Sequence, residues 1–511
     1  MLVFAAAITL VAAWLPLWPS LSSLLDLSAF TNLADPRLCG LLMRTIWLST
    51  CAAALSAACG LPLAILATRL RLPGAAICAL LLPLPLLLPP LLIAQAWHGM
   101  FGIDGPWAAV FTLGLSCAPF PALLAARALE RQAASAHESA LLSGGRKLAL
   151  EQMVRTALPA TALGAALAFL FIASDFAVPD YFAAVGDKFS VYAAEVFNGW
   201  RSEQLGVGAA AAAPLVLVAG LVLYWCLWLR DTHSGTDGGN HRALSKLDCG
   251  RGKLPLSLLA WSLLAVVLLA PLARILFETG AAGPNADGDW MTRSTASFNH
   301  ALERGREDLA RSLRTGAAAG LITLMVAPIW AHFIVKLPAG RLSRWLQVLI
   351  ALPLLAPAVG TGLGTILIWN NPMTYRFYDS WMLPPLIMAG RFMPIAIFLL
   401  AERMKRTPPS QIDAAAICGA PYWQQLFRYQ LGPYRSAWFL SAALVAVFSI
   451  RELDLAVLIP AANPSAAVRY YNALHFARDG FVAAFGLMIA LVLFLPVALH
   501  SLWNGLNQNK S

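Results

Sequence analysis

The chain has 511 residues, of which 59% are hydrophobic and only 12% charged, with a mean hydropathy of +0.68. Soluble chains carry about 25% charged residues, so this composition excludes a string of soluble domains and points to the membrane class. The formal charge of +10 then reads as Lys and Arg gathered in cytoplasmic loops, not as a nucleic-acid surface.

The segment from Met1 to Pro19 is apolar, without a basic n-region or a small-residue cleavage site, and reads as an uncleaved first helix. A span needs about 20 apolar residues to cross roughly 30 Å of hydrocarbon. Twelve candidates follow in chain order: 2–18, 42–68, 75–97, 107–127, 158–178, 205–229, 254–275, 313–335, 345–369, 381–400, 437–460 and 480–503. Several contain proline (Pro62, Pro83, Pro85, Pro89, Pro90, Pro328, Pro353, Pro357). Such breaks are tolerated in lipid where neighbouring helices satisfy the freed carbonyls, which predicts a packed bundle. The eight cysteines show no Cys-x-x-Cys and no metal-ligand spacing. No disulfide framework or zinc site is expected.

With the N-terminus inside, the cytoplasmic loops hold 21 Lys and Arg and the outer loops 13. That bias places both termini in the cytoplasm. The outer total is inflated by the long loop 274–314, which also carries Glu278, Asp287, Asp289, Glu303, Glu307 and Asp308.

Two polar loops share one design. Glu138-Ser139-Ala140-Leu141-Leu142-Ser143-Gly144, running on to Leu158-Pro159, reappears 275 residues later as Asp413-Ala414-Ala415-Ala416-Ile417-Cys418-Gly419, running on to Leu431-Gly432-Pro433. The repeat extends further. Leu84-Pro85-Leu86-Leu87-Leu88-Pro89 matches Leu352-Pro353-Leu354-Leu355-Ala356-Pro357, and Phe171 to Asp175 aligns with Phe448 to Glu452. Six spans per half is an even number, so the halves run parallel about an axis along the membrane normal. Residues 1–41 hold the first helix and an outer loop, and 42–229 the first repeat. A cytoplasmic linker follows at 230–253, then a seventh span with its long outer loop at 254–312. The second repeat is 313–503, and 504–511 is a cytoplasmic tail.

Within the first loop, His137–Ser143 and Leu148–Thr156 have helical composition broken at Gly144-Gly145; the second breaks at Gly419-Ala420-Pro421. Glycine permits the positive φ of a sharp helix–helix turn, and small residues before it allow close backbone approach. The expectation is a helical hairpin beneath the membrane in each half. One such hairpin would merely cap a bundle; two matched ones suit a twofold-related partner.

These loops resemble the EAA loops of ABC importer permeases, whose pattern is Glu-Ala-Ala, three residues, Gly, then a closing Ile-x-Leu-Pro. Glu138, Ala140 and Gly144 match in the first copy, and Asp413, Ala414, Ala415 and Gly419 in the second. Ser139 replaces an alanine, Asp413 the glutamate, and Gly432 separates Leu431 from Pro433. The resemblance covers about residues 42–503 and implies an all-α membrane protein of about 12 transmembrane helices in two parallel six-helix repeats, the type I ABC importer permease (MetI-like) fold. It also implies a location in the bacterial inner membrane. The implied partners are a cytoplasmic ABC ATPase dimer, gripping both loops and consuming the ATP, and a periplasmic solute-binding protein. Two fused domains, with Ser174-Asp175-Phe176-Ala177-Val178-Pro179-Asp180 in one, Arg451-Glu452-Leu453 in the other and then Val468 to His475, resemble the ferric-iron permeases. Thiamine, phosphonate and polyamine permeases are close alternatives.

Asp175, Arg391, Arg451, Glu452 and Asp454 lie in apolar runs. An ionised group at the bilayer centre costs at least about 2.5–3.5 kcal/mol, so these face the bundle interior, a path or each other. Asp175, Arg451 and Glu452 are the translocation-path candidates, and carboxylate oxygens suit a hard cation such as Fe³⁺. The plainer alternative is structural, with Arg451 neutralising Glu452 or Asp454. His98 and His475 have no ligand-spaced companion and read as interfacial. The sequence names no metal ligands. It contains no Gly-x₄-Gly-Lys-[Ser/Thr], since Gly250-Arg251-Gly252-Lys253 lacks the spacing, so no cofactor and no catalysis are expected of this chain. An ion-coupled secondary transporter is the rival mechanism; a membrane enzyme lacks any convergent catalytic constellation.

Overall fold

The computed structural model describes residues 1–25, 35–132, 134–202, 204–233, 246–281, 288–338, 340–459, 464–476 and 480–508. Half of the predicted linker (234–245), together with Asp287 and the last residues of the tail, lies outside the described residues. Among those described there are no strands, only one isolated parallel bridge between Leu70 and Leu247. Nine helices are long and apolar enough to cross a membrane, and two sharply bent pairs raise this to eleven if each pair is one span. The chain is a multi-pass α-helical membrane protein.

In chain order, α1 is Leu2–Leu25, α2 Pro36–Thr68, α3 Ala75–Leu87 and α4 Pro90–Phe101. Then come α5 Gly105–Glu130, α6 Ala134–Ser174, α7 Ala177–Val185 and α8 Tyr192–Arg201. The middle of the chain gives α9 Leu205–Asp231, α10 Gly250–Thr279, α11 Trp290–Lys336, α12 Arg341–Leu355, α13 Ala358–Trp369 and α14 Leu383–Met404. Last are α15 Pro409–Ile417, α16 Arg435–Arg451, α17 Ala466–Phe476 and α18 Gly480–Gln508.

The proline-rich predicted spans 75–97 and 345–369 are both broken. The α3–α4 pair bends by 101° and the α12–α13 pair by 88°, at Leu88-Pro89 and at Ala356-Pro357. Proline removes a backbone donor and pushes the preceding residue out of the helical region; Leu88 and Ala356 are both extended, with ψ of 142° and 148°. The same three-way packing then recurs. Helix α2 packs on α5 and α6, which also touch each other, and α11 packs on α14 and α16, which do likewise. Small residues allow these approaches: Gly60 of α2 leaves no room for a Cβ beside the Ala118 carbonyl of α5 (2.7 Å), nor Gly316 of α11 beside the Ala446 carbonyl of α16 (2.8 Å).

The predicted outer loop 274–314 is mostly helix. Asp289 caps α11 by accepting from the Thr292 N–H at 3.0 Å. From there α11 runs 47 residues, so its first turns stand outside the apolar stretch. These turns are rich in Ala, Leu, Glu and Arg, good helix formers, and Arg311 pairs with Glu307 (3.6 Å) and Asp308 (3.3 Å) one turn back. Polarity hid a helix there because only apolar length was counted.

Candidate functional site: two matched loops and a charged cavity

Both polar loops leave the same end of the molecule. Arg131, just before the first, pairs with Glu402, just before the second, at 3.3 Å. In the second loop the turn is a Schellman motif. The Gly419 N–H donates to the Ala416 carbonyl and the Ala420 N–H to the Ala415 carbonyl, both at 3.0 Å, with Gly419 at φ 76°. This explains the residue pattern physically: the alanines supply the terminal carbonyls and the glycine supplies the left-handed residue that lets the chain reach back to them.

In the first loop the left-handed residue is Gly145, not Gly144. Its φ of 65° and ψ of −155° fall where glycine alone is at ease. With Gly145 opposite Gly419, the closing proline comes fourteen residues later in both copies, at Pro159 and Pro433. The second arm of the first hairpin runs unbroken through Pro159 into the membrane, whereas the second copy passes through a π turn at Gln425–Gln430 and a 3₁₀ turn at Gly432–Tyr434 before α16 starts.

Of the predicted contact residues, Glu138, Gly144, Asp413, Ala414 and Gly419 are exposed, while Ala140 and Ala415 are buried. Sequence reasoning missed Leu142 and Ile417. These two apolar side chains, again 275 residues apart, are 89% and 86% exposed, one near each bend. Their shared offset was the available signal.

Midway through the bundle the five charged residues meet. Asp175, Arg391, Arg451, Glu452 and Asp454 line one cavity. Its volume of about 70 Å³ leaves room for water among the charged groups. Arg451 shares the cavity with Glu452 and Asp454, while its hydrogen bonds go to the backbone. Its Nη1 donates to the carbonyls of Leu86 and Leu88, at the break between α3 and α4. Arg391 does the same at the other break, donating from Nη1 to Ala356 (2.8 Å) and Pro353 (3.5 Å). A guanidinium thus sits on each set of carbonyls that a proline has stripped of its helical donors, where the helix dipole also favours positive charge. Glu452 is instead paired with Arg391, Oε1 to Nε at 3.5 Å.

The carboxylates are pinned in the same way. Asp175 Oδ1 accepts from the Val178 N–H at 3.0 Å and Glu452 Oε1 from the Leu455 N–H at 3.3 Å. Both are acceptors for the backbone three residues on, at aligned positions of the repeat. Asp454 Oδ2 accepts from the Phe176 N–H at 3.4 Å. Among the described residues no group of three His, Cys, Asp or Glu side chains has metal-binding geometry.

At the opposite end from the loops, Asp180 of α7 meets α17. Tyr471 donates to Asp180 Oδ2 at 2.6 Å and His475 Nε2 lies 3.4 Å from it. The bond to Asp180 raises the pKa of His475 against the lowering effect of burial. Burial works to raise that of Asp180, but the bonds from His475 and Tyr471 win and hold it below the usual carboxylate range. His475 is therefore part of a tie between α7 and α17, not an isolated interfacial residue. His98 Nδ1 donates to the Ile103 carbonyl, 2.9 Å away, just past the end of its helix.

No family model matches this chain. Over 217 residues it is 26% identical to "Putative 2-aminoethylphosphonate transport system permease protein PhnV" of Salmonella paratyphi A, a stretch covering 41% of this chain and 78% of that protein. The chain is similar to transport-system permeases. The same-named proteins of Salmonella typhimurium and Salmonella typhi are each 25% identical over 41% of this chain and 78% and 79% of their own.

Proposed function

We propose that the chain is the membrane-embedded translocation subunit of an ATP-driven ABC importer, with both repeats in one polypeptide. The observation that carries this is the pair of loops leaving one end of the bundle, each bent at a left-handed glycine and each exposing an apolar side chain, Leu142 or Ile417. One exposed apolar side chain is ordinary on a surface, but Leu142 and Ile417 recur at matching loop positions, and such a pair fits two copies of one partner, the ATPase dimer. Similarity to transport-system permeases supports the same reading. Glu138, Ala140, Gly144, Asp413, Ala414, Ala415 and Gly419 belong to these docking loops, and Asp175, Arg451 and Glu452 to the path between the repeats. ATPase closure would favour one arrangement of the halves through differential binding, because a partner that binds both arrangements equally shifts nothing. A periplasmic binding protein delivers the solute at the far end, where Asp180, Tyr471 and His475 tie the repeats.

For the solute, the named relatives favour an organophosphonate. Nothing supports ferric iron: the three cavity carboxylates are accompanied by two guanidinium groups, which oppose a trivalent cation. The rival of an ion-coupled transporter draws on the same buried charges but leaves the matched loops without a role. The test is co-purification of the chain with an ATPase from its own membranes. Two ATPase copies per chain are expected, lost in the Leu142→Asp/Ile417→Asp variant. Transport in vesicles driven by a proton gradient without ATP would reject the proposal.

A further inference from the structure

We propose that the mid-bundle cavity is a solute site for a small zwitterion, binding its oxyanion with the free donors of Arg391 and Arg451 and its ammonium with the free oxygens of Asp175, Glu452 and Asp454. The inference rests on the permease reading above.

Each charged group is held by one atom and leaves others for the cavity. Arg451 hydrogen-bonds the α3 carbonyls through Nη1 alone, and Arg391 the α12 carbonyls through Nη1 alone. Arg391 Nε is buried, makes no hydrogen bond and faces Glu452. A guanidinium fixed at one nitrogen presents the rest of its fork in a set direction, which suits the two or three oxygens of a phosphonate or carboxylate better than a flexible ammonium would. Asp175 and Glu452 likewise spend Oδ1 and Oε1 on backbone N–H groups, leaving Oδ2 and Oε2. Groups fixed before the solute arrives lose little freedom on binding it.

Both signs are needed. A purely anionic solute would meet three carboxylates, and a purely cationic one two guanidiniums, in surroundings where opposed charges are costly. The site is also asymmetric where the repeat is not. Arg451 aligns with Ser174, and both line the cavity. A solute with unlike ends has a reason to be gripped by unlike halves.

The full chain in lipid nanodiscs would be titrated with 2-aminoethylphosphonate, with ethylphosphonate, which lacks the ammonium, and with ethylammonium, which lacks the oxyanion. The zwitterion is expected to bind at least about tenfold more tightly than either fragment, since each charged hydrogen-bonding end contributes about that factor. Asp175→Asn, which keeps the acceptor for Val178, should erase the advantage over ethylphosphonate; Arg451→Gln should erase the advantage over ethylammonium. Equal binding of zwitterion and ethylphosphonate, or no binding of the zwitterion, overturns the proposal. Co-purification of the ATPase with the same protein separates the two ideas. Retained ATPase without zwitterion binding removes the solute class alone, and lost ATPase removes the permease reading.

Discussion

The matched loops and the charged cavity treat the internal repeat in opposite ways. At the loops, the two copies keep residue character: an acid at 138 and 413, a large apolar side chain at 142 and 417, and a left-handed glycine, at 145 and 419, before the arm that enters the membrane. At the cavity, backbone roles are kept while side chains diverge: Ser174-Asp175 stands where Arg451-Glu452 stands in the second half. On the proposed reading, a surface gripped by two identical partners has to present itself twice, whereas a cavity shared by both halves is occupied once and carries no such demand.

That contrast implies that cavity substitutions strike stability and loop-tip substitutions do not. The largest effect is expected at Arg391, which holds two carbonyls and Glu452. Arg391→Leu should cost about 3–5 kcal/mol, the range for stripping a buried charge of its partner. Arg391→Leu with Glu452→Leu should cost less than that single change, read as recovered unfolding temperature. Equal costs would mean that the pair does not interact.

The turn glycines come next and differ between the copies. At Gly145 the backbone lies in a glycine-only region, so Gly145→Ala should cost about 1–3 kcal/mol. At Gly419, in ordinary left-handed geometry, Gly419→Ala should cost about 1–2 kcal/mol. Both positions open onto free space, so the loss is backbone strain, not collision. Protease sensitivity of each loop would rank the two, and a reversed order would contradict the assigned geometry.

A smaller effect belongs to the outer tie. The share contributed by His475, whose pKa is raised by Asp180, is fully present below its unfolded value of about 6.5 and fades as pH rises through the raised value. The share from Asp180, whose pKa is depressed, is present above about 3.9 and fades as pH falls through its lowered value. The tie is strongest between these limits. Unfolding measured across the window should show a dependence on pH that His475→Asn removes; an unchanged profile would exclude the pair as a contributor. Smallest of all, Leu142→Asp and Ile417→Asp should shift stability by no more than about 0.5 kcal/mol while abolishing ATPase capture.

Much of this was legible because membrane folding leaves a coarse signature. Apolar length marked the spans, and the prolines at 85, 89, 353 and 357 marked both breaks. The Glu138 and Asp413 loops announced their duplication. What escaped had physical reasons. The helix from Trp290 is polar on its outer turns, so an apolar count cannot see it. The partners of Arg391 and Arg451 are carbonyls, which have no residue letter, and the natural guess paired Arg451 with the neighbouring carboxylates. Gly144 and Gly145 are adjacent, and only dihedral angles distinguish which one turns the chain. Leu142 and Ile417 look like core residues until the fold leaves them uncovered.

The sidedness of the two loop tips decides most directly whether they are docking loops. A variant retaining only the native Cys418, and a second carrying only a cysteine at Leu142→Cys, would be treated with a membrane-impermeant maleimide from each side of the membrane and then cross-linked to associated proteins. Labelling of both from the cytoplasmic side alone, with each cross-linking to an ATPase, is the predicted result. Labelling of the two from opposite sides, or protection of either tip by lipid, would contradict it.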